Sequence, residues 1–120
     1  MRGQEQRMKV VNNALFIAGL FITSEALSYG EKGGLDLDNM LEVVNASSGH
    51  NFLTAQLFHA YVATGKYDYA GASARIIEKD MGLFVKGSRS RDTVNRTIEA
   101  AYERLMSFAE SGPERDMAWI

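Results

Sequence analysis

The chain has no cysteine, one proline and two histidines. Without cysteine there is no disulfide and no thiolate nucleophile. His50 and His59 stand at no metal-ligand spacing with carboxylates, so no zinc or di-iron site is expected. The net charge of −2 leaves no basic footprint for nucleic acid. No secretory leader opens the sequence. The very apolar run from Ala14 to Thr23 is about half the ~18–20 residues that a membrane span needs. The absence of cysteine says little about compartment but is compatible with a reducing cytoplasm, which is the expected location, with neither membrane nor nucleic acid expected as partner.

What remains is helical in pattern. The lone proline is Pro113, and no alternating strand pattern is bounded by a two-residue turn. Glycines at 30, 33, 34, 49, 65, 87 and 112 punctuate the chain. The first helix is expected over 6–31. A second, capped by Asp36 or Asp38, runs to Val44. A polar turn, "NASSGHN", follows at 45–51. Further helices are expected over 52–64, with Leu53, Leu57 and Tyr61 on one face, and over 73–85, with Ile76, Ile77, Met81 and Phe84. The last covers 92–111, with Val94, Ile98, Ala101, Leu105 and Phe108 at helical spacing. The predicted fold is all-α: a long N-terminal helix plus four to five shorter ones, in one helical domain over 1–120. The first helix is apolar on nearly every side through its middle. Its short neighbours cannot cover it, so a second surface is expected from another domain or subunit.

Few groups could carry chemistry. Lys9 and Asn13 are four residues apart and share a helix face, with Asn12 about 100° round from Asn13. First-turn amides and the helix dipole add a positive field there, which suits an anion such as a substrate carboxylate. On spacing alone, a Lys9 that snorkels to water is the commoner arrangement. In "EKDMGL", Lys79 could reach a bound anion while Asp80 holds a neighbouring polar group. A solvated edge of an amphipathic helix explains the same pattern. "KGSRSR", 86–91, reads as a solvated basic loop.

Taken in order, "GQEQRMKVVNN", "SEAL", "GLD", "NASSGHN", "TGKYD", "EKDMGL" and "GPERDMA" resemble one family across nearly the whole chain. It is the all-helical C-terminal domain of the β-hydroxyacid dehydrogenases, which include 3-hydroxyisobutyrate dehydrogenase, 2-hydroxy-3-oxopropionate reductase and the more distant 6-phosphogluconate dehydrogenase. The resemblance implies that Lys9 is the catalytic proton-transfer lysine and that Asn13, with Asn12 beside it, holds the substrate. It implies that Lys79 approaches the cofactor, with Asp80 as its acidic neighbour. It also implies NAD or NADP in a full-length enzyme, a small hydroxyacid or aldehyde/keto acid substrate, and a homodimer or higher homo-oligomer packed through the long helix.

Two features depart from the family. Glu5 stands where a second glycine is usual, and no G-x-G-x-x-G follows a strand. A Rossmann cofactor domain is therefore absent from this chain. No cofactor is expected on the chain alone, nor is turnover. A stand-alone helical interaction module without catalysis is the alternative reading.

Overall fold

The computed structural model describes residues 2–56 and 74–111. Among them all regular structure is helical: α1 (Arg2–Lys32), α2 (Leu37–Asn45), α3 (Ala74–Ser90) and α4 (Arg96–Ser111). A short helical turn, π-like over 53–56, also lies at 52–56. The expected helix over 52–64 begins there, but its remainder, with Leu57 and Tyr61, lies outside the described residues, as do the side chains of Ile76, Ile77 and Phe108.

At ~1.5 Å per residue, α1 is roughly 45 Å long. Its end is set by local chemistry. Gly34 adopts φ +97°, which suits glycine because a Cβ there would be strained. The Leu35 amide donates to the Gly30 carbonyl and the Gly34 amide to that of Glu31. That pair of bonds is a Schellman ending.

The chain divides into two compact units, with the boundary in α1 between Ala18 and Gly19. In the first, Ala14, Ile17 and Ala18 of α1 are buried, as are Met81 and Val85 of α3 and Ala101 and Leu105 of α4. The α3 and α4 pairs are four residues apart, so each forms one stripe. A Cβ on Gly82 would lie 3.2 Å from the Tyr102 hydroxyl. Glycine there lets α4 come close to α3.

In the second unit, Leu20, Phe21 and Leu27 of α1, Leu41 of α2 and Leu53 are buried. Asp36 caps α2 by accepting from the Asn39 amide at 3.1 Å. The turn at 52–56 starts with a reciprocal cap. The Asn51 side chain accepts from the Thr54 amide at 3.0 Å, and the Thr54 hydroxyl accepts from the Asn51 amide at 2.9 Å. Asn51 also donates to the hydroxyl of buried Thr23 at 3.2 Å, which ties this turn to α1. Replacing Thr54 with valine keeps the shape and removes the hydroxyl. We expect a loss of about 1–2 kcal/mol in denaturant unfolding.

Three expectations are corrected. "KGSRSR" is not a loop: 86–90 form the last turns of α3. The Ser88 and Ser90 hydroxyls donate back to the Val85 and Gly87 carbonyls within this helix. The helix stops at Asp92, which takes φ 55°, with the Thr93 amide donating to Ser88 and the Asp92 amide to Arg89. Because Asp92 ends α3, it cannot start α4, which begins at Arg96 after Asn95. Val94 therefore precedes the helix and is 91% exposed instead of buried.

By length and composition alone, α1 could cross a bilayer. Ala14, Ile17, Leu20 and Phe21 at its centre are covered by protein instead. Its outer face is different. Met8, Leu15, Ile22 and Tyr29 recur every seven residues and are 67%, 69%, 57% and 84% exposed. With Val11 they form an apolar stripe that the described residues leave uncovered.

Candidate functional site

The five residues singled out in the sequence all fall in the first unit, on two helices. Lys9, Asn12 and Asn13 lie on α1; Lys79 and Asp80 lie on α3. The backbone is helical from Lys9 through Asn13, so these two side chains stand one turn and about 40° apart.

Asn13 and Asp80 are brought together. The Asn13 side-chain nitrogen donates to Asp80 Oδ2 at 2.8 Å, across 67 residues of sequence, in a partly buried setting. A neutral donor on an ionised acceptor makes one of the stronger hydrogen bonds a protein forms. Asn12 is exposed, and its amide reaches Asn13 Oδ1 only at 3.4 Å. Lys9 and Lys79 are exposed and make no ion pair with any described residue. The described residues therefore do not supply the dry surroundings that would keep Lys9 out of solvent.

Beside this pair runs a cleft of about 440 Å³. Val10 and Leu83, each one turn from a member of the Asn13–Asp80 pair, lie in its wall with Phe84 and Ser88. Arg7 and Arg91 add two cations. Neither forms an ion pair among the described residues. None of the five candidates lines this cleft. Sequence reasoning missed it: Arg91 sat in a stretch read as loop, and Arg7 carried no signal. Among the described residues no three His, Asp or Glu side chains gather to hold a metal ion.

Two solved structures share the fold. 3-Hydroxyisobutyrate dehydrogenase from Salmonella typhimurium aligns with a TM-score of 0.75 over 92% of this chain, at 23% identity. The Mycobacterium tuberculosis 3-hydroxyisobutyrate dehydrogenase, in a structure with L-serine, aligns with a TM-score of 0.82 over 93%, at 19% identity. The chain spans 38% and 40% of their lengths. The fold is thus an all-α architecture, built on one long helix, that occurs in hydroxyacid dehydrogenases.

The family follows from sequence. Residues 3–120 match the family described as NAD-binding of NADP-dependent 3-hydroxyisobutyrate dehydrogenase, and the chain belongs to it. The mitochondrial 3-hydroxyisobutyrate dehydrogenase of Drosophila melanogaster is 30% identical over 87 residues, 68% of this chain and 26% of that protein.

Proposed function

We propose that this chain is the C-terminal, substrate-side and dimerisation domain of an NAD(P)-dependent 3-hydroxyacid dehydrogenase or reductase, and that it is inactive without a dinucleotide-binding domain. The observation that carries the reading is the bond from Asn13 to Asp80. It joins the two segments in which the family resemblance places substrate and cofactor contacts. Family membership supports nicotinamide chemistry. The hydroxyl on carbon 3 of L-serine, present in the Mycobacterium tuberculosis structure, suits the same substrate class.

The residues fit a cofactor in part. Lys79, an exposed cation next to Asp80, suits one polar edge of a dinucleotide. The described residues include no strand and the sequence has no G-x-G-x-x-G, so on this reading the enclosing wall comes from another domain. A nicotinamide held there would supply the hydride chemistry at the carbon bearing the substrate oxygen. As the neutral amine, Lys9 Nζ takes the hydroxyl proton during oxidation; as the ammonium, it gives one to the carbonyl oxygen during reduction. Asn13, with Asn12 beside it, holds the substrate within reach of that nitrogen. Closure of a second domain over Lys9 excludes the water to which it is now open. The substrate is a small hydroxyacid, or an aldehyde or keto acid in the reverse direction, and the protein works in the cytoplasm.

A specific observation favours a second reading, a helical interaction module without catalysis: the stripe of Met8, Val11, Leu15, Ile22 and Tyr29. One experiment separates the two. The chain is mixed with the dinucleotide-binding domain of a related enzyme, NAD or NADP, and 3-hydroxyisobutyrate. Formation of reduced nicotinamide is expected only with both proteins present. No turnover with either cofactor, across a panel of 3-hydroxyacids, leaves the interaction module as the better reading.

A further inference from the structure

Asp80 was expected beside the cofactor, yet its carboxylate is engaged by Asn13. An ionised carboxylate only accepts hydrogen bonds, so the end of the Asn13 carboxamide facing it must be the nitrogen. That fixes an orientation which is otherwise a matter of assignment. Both amide protons then sit at the Asp80 end, and the oxygen points the other way. A single long contact from exposed Asn12 leaves that oxygen with acceptor capacity to spare.

The structure assigns to Asp80 a positioning role: it holds the Asn13 carboxamide oxygen-outward, so that Asn13 acts toward a ligand as an acceptor for a hydroxyl or ammonium group. The inference rests on the dehydrogenase reading for the identity of that ligand, but not for the orientation itself. A substrate carboxylate would meet an oxygen here, with the Asp80 charge behind it, and is therefore bound elsewhere. The anion expected from the helix-start field does not belong at Asn13. During oxidation the hydroxyl gives its one proton to the neutral Lys9 amine, which can itself donate to the Asn13 oxygen. During reduction the Lys9 ammonium, one turn away, can take the same acceptor and be aimed at the carbonyl oxygen. Asp80 thus acts through Asn13 on the hydroxyl-bearing carbon, without touching substrate.

The test has two arms. In the chain alone, the side-chain amide signals of Asn13 are followed by nuclear magnetic resonance. One amide proton is expected to be shifted downfield and slow to exchange. Asp80→Ala should move both protons to solvent-exposed behaviour. Asp80→Asn still accepts through its oxygen and should retain most of the wild-type pattern. Identical Asn13 signals in wild type and Asp80→Ala would overturn the assignment. In the second arm, the chain is complemented with a dinucleotide-binding domain. Asp80→Ala should raise KM for 3-hydroxyisobutyrate by about tenfold or more. KM for the cofactor should stay within about twofold, and Asp80→Asn should recover most of the loss. A rise confined to the cofactor KM would return Asp80 to the cofactor side and end the proposal. Failure of the wild-type mixture to turn over would remove the dehydrogenase reading, while the amide signals would still decide the role of Asp80.

Discussion

Lys9→Ala, assayed in the chain complemented with a dinucleotide-binding domain, will lower kcat by about 10²–10⁴-fold. That range is the usual worth of a positioned acid or base. The loss should fall on kcat more than on KM, because the proton moves only in the transition state. Lys9 is exposed and pairs with no described residue, so its removal leaves the fold intact. Lost turnover with an unchanged unfolding midpoint is therefore the combined signature. Turnover within about threefold of wild type would remove Lys9 from the proton-transfer role, whatever the family resemblance implies.

If the chain pairs through the α1 stripe as proposed, Leu15→Glu with Ile22→Glu will convert it to monomer. In a symmetric pair each substitution is made twice, so four large apolar side chains leave the interface. At ~1.5–3 kcal/mol for burying a fully exposed side chain, and with only the exposed share of each left to bury, roughly 4–8 kcal/mol of association is at stake. Association should weaken by at least several hundred-fold, at ~1.4 kcal/mol per factor of ten. Within one chain both residues are mostly exposed, at 69% and 57%. Helical circular dichroism should therefore stay as in wild type. Sedimentation velocity reads the outcome. A double variant that still sediments with the unsubstituted protein would show that the stripe is not the contact. Wild-type protein that is itself monomeric at all concentrations would give the stripe to a different partner.

Much of this architecture was legible because its signals are local. The apolar run of α1 and the glycines at 30, 33 and 34 bracket a helix whose observed bounds are Arg2–Lys32. Asp36 before an amphipathic stretch gives the start of α2. The junction of α3 and α4 was misread for an equally local reason. An aspartate ahead of periodic apolar residues looks the same whether it opens one helix or closes the previous one. Only its backbone angle, φ 55° at Asp92, separates the two roles. The serines at 88 and 90 suggested a loop, but their hydroxyls bond within the helix.

The candidate site was legible in a different way. Spacing puts Lys9 and Asn13 on one face of a helix, and α1 is continuous there. The meeting of Asn13 with Asp80 spans 67 residues, which no local period encodes. "EKDMGL" suggested only that Asp80 could hold some neighbouring polar group. Arg7 and Arg91 were missed for the same reason, since they meet a common cleft only through tertiary packing.

One geometric fact about α1 has a wider consequence. At ~100° per residue, Leu15 points about 160° away from Asn13 and about 120° from Lys9. The apolar stripe through Leu15 and the pair proposed to move the proton, Lys9 and Asn13, thus occupy different sides of one helix, although Asn12 stands only about 40° from Met8. Under the proposed reading, substitutions along the stripe would alter what this protein associates with while leaving Lys9 and Asn13 in place.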